Sequence, residues 1–323
     1  MIFLSESEVA SLLPIGDVLT ALEAAFHAQA EGKISMPLRT IATSGGGFLG
    51  AMPAAISGEG AALGAKLVTF FPGNAAAGVH THQALIALFD PGSGQPQALM
   101  DGRLITEIRT AATSALATRA LARADARVLA ILGTGVQARA HVAALAEVMK
   151  VDELRTWGRT AKAAADVADF ARNRGLHARV AATVADACHG AGVVCTVTSA
   201  REPIVTATDI DPGTHVNAVG FAGITARELP GDLMARARIF VDSVEGALSE
   251  SGNIMLAARE AMLPAKVALT RLCDVLAGRA AGRHDRDDIT IFDSLGIAIE
   301  DLACARLVFE RARAGKIGTL VRL

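Results

Sequence analysis

Residues 128–138 read VLAILGTGVQA, and the reading of that stretch decides the fold. It opens on an apolar run of strand type, and VQARAHVAALAEVM at 136–149 follows with helical spacing. Gly133, Gly135 and Ala138 fall between the two as GxGxxA. The first glycine permits a tight turn and the second lets backbone approach a pyrophosphate. The small third residue lets the helix close on the strand. Free backbone amides at the helix start attract phosphate.

Working outward, ELRTW at 153–157, HARVA at 177–181, AGVVCTVTS at 191–199, THVNAVG at 214–220 and ARIFVDS at 237–243 read as strands. A helix runs through AAADVADFARN at 163–173. Such alternation predicts an α/β fold: a parallel sheet covered by helices on both faces, the Rossmann dinucleotide-binding arrangement. The second strand ends at Trp157, where an NAD-specific protein places an acid against the ribose 2′-hydroxyl. Here the chain offers Gly158, Arg159 and Thr160. An acid would repel a 2′-phosphate, whereas a guanidinium grips it with charge-assisted hydrogen bonds. The expected cofactor is therefore NADP(H), with NAD(H) as the alternative.

The N-terminal part has another texture. Residues 5–31 read as helical, with Val9, Leu12, Leu13, Val18, Leu19, Leu22 and Phe26 near helical spacing and Ser5 or Ser7 as caps. From Met36 to Met100, SGGGFLGAMPA, GAKLVTFFPGN and ALIALFDPGSGQPQAL read as strands joined by turns. ITEIRTAATSALATRAL at 105–121 reads as a helix, and IFDSLGIAIEDLACARLVFERARAG at 291–315 as one long helix after a glycine turn. The last could pack back on the N-terminal half. The expected domains are 1–115 with 300–323, for substrate and dimerisation, and 116–299 for the dinucleotide.

Composition narrows the function classes. A net charge of -2 with 20% charged residues provides no basic face for nucleic acid. No apolar run reaches membrane-spanning length, and MIFLSESEVA lacks the basic region of a secretory signal. Cys188, Cys195, Cys273 and Cys304 are scattered, which points to reduced, buried thiols and a cytoplasmic location. His80 and His82 have no carboxylate or cysteine nearby, so no metal site is expected. The chain has no tyrosine, so no tyrosine can donate a proton.

A dehydrogenase also needs a hold on its substrate. Arg39, Lys66, His82 and Arg109 are the basic groups in or near the strand-rich region. Lys66 stands between apolar residues of a strand, where a partly desolvated lysine can hold a carboxylate or pass a proton. Arg109 lies in a helix of small apolar residues and should face something anionic. These residues alone point to a small anion.

The chain resembles the ornithine cyclodeaminase and mu-crystallin family. The resemblance rests on LRT at 38–40, LGAMPA at 49–54, AKLVTFFPGN at 65–74 and HTHQALIALFDPGSGQP at 80–96. It continues through MDGRLITEIRTAATSALAT at 100–118, ILGTGVQA at 131–138, HVNAVGF at 215–221, REL at 227–229, VDS at 241–243 and IFDSLGIAIEDLACA at 291–305. It implies a homodimer acting on small amino or imino acids, with a C-terminal helix that rejoins the N-terminal domain. It also implies that Arg39 and Lys66 hold a substrate carboxylate. Arg109, Thr110 and the backbone of Val136 and Gln137 would lie beside the cofactor phosphates, and Thr81, Thr198, Val219 and Ser294 near the nicotinamide.

Cyclodeaminases of this family usually carry Glu and Asp where this chain has Gly50 and Ala222. The reading is therefore an NADPH-dependent reductase of cyclic imino acids. Lys66, a water held by the pocket or bulk solvent could supply the proton, with Lys66 the leading candidate, while Met52, Phe70 and Phe221 are side chains that could shape the pocket. Ornithine cyclodeamination with NAD, and NADPH binding without turnover, are the alternatives.

Overall fold

The strand Val128–Leu132 lies within a sheet of parallel strands in the computed structural model, which describes residues 1–220, 223–264 and 266–322. Among the described residues the spatial order is Ala178–Val180, Glu153–Trp157, Val128–Leu132, Val193–Thr196, His215–Ala218, Ile289–Asp293, Ala237–Val241 and Leu269–Arg271. From Val128–Leu132 the chain steps outward through 153–157 and 178–180, then crosses to Val193–Thr196 on the other side. The order thus reverses at Val128–Leu132, and ligands of such sheets bind in the crevice beyond the strand ends at that point. Leu129, Ile131, Val194, Val216, Phe240 and Phe292 are fully buried, as the near-continuous apolar runs of a doubly covered parallel sheet require.

The chain divides into two compact units, Met1–Thr110 with Gly296–Leu323 and Ala111–Leu295. The second contains the parallel sheet. The first is built on a mixed sheet whose core is antiparallel: Thr40–Ser44, Gly47–Ile56, Ala62–Phe70, His82–Phe89 and Pro96–Asp101. Asp90 shapes the last hairpin, its Oδ1 accepting the Gly92 and Ser93 amides at 3.1 and 2.8 Å. The helix Ala298–Gly315 packs on the helix Ile15–Ala30 and on the Gly47–Ile56, Ala62–Phe70 and His82–Phe89 strands, so the C-terminal segment completes this unit. Met52, Ile56, Lys66, Val68, Ile86 and Met100 alternate onto the buried side of the sheet.

Two elements differ from the sequence reading. Residues 5–31 form two helices, Glu6–Leu12 and Ile15–Ala30, because Pro14 has no N–H with which to continue the first. Residues 291–293 belong to the strand Ile289–Asp293, and the final helix starts only at Ala298, after Gly296 turns the chain at φ 72°. A short apolar run carries no period that separates a buried strand from the first turn of a helix. Among the described residues, no single helix is long and apolar enough to cross a membrane.

Candidate active site

In the first unit, alternation along Ala62–Phe70 turns Lys66 inward, toward the C-terminal helix. Lys66 Nζ lies 2.6 Å from Asp301 Oδ2 and 3.4 Å from the Thr106 hydroxyl. Asp301 is shared, because Arg109 Nε donates to its Oδ1 at 2.9 Å while Arg109 NH1 donates to Glu300 at 2.7 Å. Arg39 NH2 donates to the Gly296 carbonyl at 2.9 Å, and a side chain at Gly296 would collide with the Arg109 guanidinium. Arg39, Lys66 and Arg109 are thus drawn together by Glu300, Asp301 and the glycine turn that opens the final helix.

The charges explain one another. Burial lowers Lys66 to about 8, against the attraction of Asp301, with Arg109 and Arg39 adding to the fall. Burial would raise the Asp301 carboxyl, but Arg109 and Lys66 outweigh it and hold it below the ordinary carboxylate range. His82 starts the neighbouring strand and packs at a tilt against Phe70, with centroids 4.5 Å apart. Its residue surface is exposed, yet desolvation by the protein packed around it, then Lys66 and Arg109, pushes it down to about 4, so it is neutral at physiological pH. These groups can hold an organic anion and, through Lys66, deliver a proton near neutrality.

In the second unit the strand ends are stitched into a rim. The amide of Val197 donates to Leu132 O, that of Val219 to Thr196 O and that of Ser294 to Ala218 O, each at 2.9 Å. Gly133 stands at φ 131°, and a Cβ there would sit 2.6 Å from Val197 O, so only glycine makes this turn without strain. Gly135 caps the helix Val136–Ala146, and a Cβ on it would meet nothing within 4 Å. The space over that helix start, with amides lacking intrahelical partners, suits a pyrophosphate. Among the described residues, Gln137 Oε1 and Ser294 Oγ are buried without a protein partner, as groups that meet a polar ligand would be. The residues present fit a dinucleotide. Gly133 N donates to Trp157 O at 2.9 Å, which brings the loop of Gly158, Arg159 and Thr160 beside the glycine turn.

The structure therefore groups Arg39, Lys66, His82 and Arg109 in one unit, and Gly133, Gly135, Val136, Gln137, Thr198, Val219 and Ser294 around one sheet edge in the other. Arg159 and Thr160 are exposed, and the Thr160 hydroxyl caps the next helix by accepting from the Ala163 amide at 3.3 Å. Thr81 precedes the strand of His82 and lies 3.4 Å from its Nδ1, while the Thr110 hydroxyl donates to Thr106 O at 2.7 Å. Phe221 and Ala222 lie outside the described residues. Sequence reading passed over Glu300, Asp301 and Thr106. The signal for the two acids was present, since AIEDLACA sets adjacent carboxylates on an otherwise apolar helix face.

A glycine turn opening onto the crevice of a parallel sheet, with a buried cluster of cations in the other unit, defines a dinucleotide-binding protein equipped to hold a small anion. More narrowly, the chain belongs to the ornithine cyclodeaminase/mu-crystallin family, whose model matches residues 1–316. It is similar to the ketimine reductase mu-crystallin of Mus musculus, 40% identical over 320 residues, 97% of this chain and 98% of that protein. Among solved structures it resembles the Δ1-pyrroline-2-carboxylate reductase of Thermococcus litoralis in complex with NADH and L-proline. That likeness has a TM-score of 0.96 at 35% identity and covers 99% of this chain and 100% of that one. An archaeal alanine dehydrogenase dimer with bound NAD matches with a TM-score of 0.95 at 34% identity, over 100% of this chain and 99% of that one.

Proposed function

We propose that the protein reduces cyclic imino acids with NADPH, converting Δ1-pyrroline-2-carboxylate or Δ1-piperideine-2-carboxylate to proline or pipecolate. The observation that carries this reading is the buried Lys66–Asp301 pair beside Arg39 and Arg109. The cluster gathers three cations, Arg39, Lys66 and Arg109, about the turn that opens the final helix, where a substrate carboxylate would meet them. Arg39 and Lys66 bind that carboxylate and orient the ring, and orientation is a large part of the rate. Lys66, at about 8, also holds a proton close enough to neutrality to donate it to the imine nitrogen. The hydride that the C=N carbon receives would come from NADPH when that cofactor is bound.

Selection of NADPH is assigned to Arg159 with Thr160, supported by the absence of an acid in Gly158–Arg159–Thr160 and by the exposure of the guanidinium. The phosphates are assigned to the backbone of Gly133, Gly135, Val136 and Gln137, with Arg109 and Thr110. The nicotinamide is assigned to Thr81, Thr198, Val219 and Ser294. Gly50 weighs against cyclodeamination. It lies on the buried side of its strand, where a Cβ would stand 3.3 Å from Val68 Cγ1, and it supplies no carboxylate for amine chemistry.

The active form is a homodimer. On the sheet face away from the helices, Leu49, Leu67 and Leu85 are 43, 45 and 45% exposed, an apolar patch that a second copy would cover. Four buried free thiols are in keeping with a cytoplasmic enzyme. NADPH consumption with each cyclic imine, set against ammonia release from ornithine, tests the reading. Imine-dependent oxidation supports it, and ammonia release without added reductant would overturn it.

A further inference from the structure

Glu228 is 1% exposed and spans two loops of the rim. Its Oε1 accepts the Thr198 amide at 2.7 Å and the Thr198 hydroxyl at 2.6 Å, while its Oε2 accepts the Gly220 amide at 2.8 Å. Thr198 follows the strand Val193–Thr196 and Gly220 follows His215–Ala218, so one carboxylate ties together the ends of two adjacent parallel strands. The carboxylate is itself held. Asn253 Oδ1 accepts the amides of Glu228 and Leu229, each at 3.1 Å, and Asn253 Nδ2 donates to Asp293 Oδ1 at 2.7 Å, one residue before Ser294. Gly220 has no room for a side chain, since a Cβ would sit 2.3 Å from the Glu228 carboxyl carbon and 2.4 Å from Thr198 O.

This geometry fixes a proton. The Thr198 hydroxyl has one hydrogen, and it points to Glu228, while the same oxygen accepts the Ala200 amide at 3.1 Å. Thr198 is only half-buried, so its oxygen is left to meet a ligand as an acceptor and never as a donor. The amide of a nicotinamide carboxamide is a donor of the matching kind, and Thr198 belongs to the rim assigned above to the nicotinamide.

We infer that Glu228 is a positioning residue for the nicotinamide half of the cofactor, fixing Thr198 as a hydrogen-bond acceptor and holding the Thr198 and Gly220 loops in register. The inference rests on the dinucleotide assignment above. In Glu228→Gln the amide group must confront either the Gly220 or the Thr198 N–H, donor against donor.

The test compares, by calorimetry, the binding of NADPH with that of 2′,5′-ADP, and of NADH with that of ADP-ribose, in the full chain. Glu228→Gln should weaken the nicotinamide-bearing ligand of each pair by about tenfold to a hundredfold, the loss expected when a buried N–H is left without an acceptor, and leave its partner unchanged. Thr198→Val keeps the carboxylate and should show the same split, which preserves the test if Glu228→Gln folds poorly. Equal loss for both members of a pair, or no loss for either, overturns the inference. Failure of the unaltered protein to bind any of the four ligands would instead overturn the dinucleotide assignment itself.

Discussion

Lys66 Nζ stands 2.6 Å from Asp301 Oδ2, with the two side chains 2 and 1% exposed, joining a strand of the first unit to its C-terminal helix. Burial lowers this lysine and Asp301 opposes the fall, which leaves it at about 8. Below about pH 8 the ammonium is present and able both to attract a carboxylate and to release a proton. Above that pH it is progressively lost. In pH profiles, kcat/KM for imine reduction should therefore fall as the pH rises through about 8. Asp301→Asn removes an attraction that raises the lysine, so the alkaline limb should move to lower pH. A limb that stays in place would show that Asp301 does not govern the charge of Lys66.

The two glycines of the turn should respond differently to substitution. Gly133→Ala puts a Cβ 2.6 Å from Val197 O at a φ of 131° and should cost roughly 1–3 kcal/mol of stability, read from the midpoint of urea unfolding. Gly135→Val meets no protein atom near its Cβ and should leave that midpoint unchanged. It should nonetheless abolish dinucleotide binding, because the added bulk occupies the space assigned to the pyrophosphate. Undiminished NADPH binding by Gly135→Val would place the phosphates elsewhere.

Arg159→Asp reverses the charge of an exposed side chain in the loop after Trp157. Losing charge-assisted hydrogen bonds to the 2′-phosphate, each worth about 1.5–3 kcal/mol, should reduce the preference for NADPH over NADH by roughly a hundredfold. The effect should appear in KM for the cofactor and leave the unfolding midpoint as it was. An unchanged preference would mean that Arg159 serves only the surface.

The glycine turn, the alternating strands and the inward lysine were legible because each is a local pattern: a spacing, a period or a charge among apolar neighbours. Lys66 was found this way and Asp301 was not, because what pairs them is the packing of the last helix on a strand far away in sequence. Glu228 was hidden for a related reason. In REL it reads as one more polar residue of a loop, and only the fold delivers Thr198 and Gly220 to its two oxygens. The misread start of the final helix is a different case, since ITIFD becomes a strand through its two parallel neighbours.

Leu67 pairs across the sheet with Leu85, and both point away from the helices. Replacing both by Asp would set like charges opposite each other on the apolar face assigned to the dimer. Light scattering should then report a monomer for the variant and a dimer for the unaltered chain, with the far-ultraviolet circular dichroism unchanged. A dimer that survives both substitutions would move the interface off this face.

The central claim is that Lys66 holds and protonates the imino acid, and the Lys66→Met variant tests it most directly. Side by side, NADPH oxidation with Δ1-pyrroline-2-carboxylate and NADPH binding by calorimetry would be measured in the variant and the unaltered protein. The account predicts a fall in kcat/KM of about a hundredfold to ten-thousandfold, the usual contribution of a positioned proton donor, with NADPH binding intact. Reduction at the normal rate by the methionine variant would contradict it.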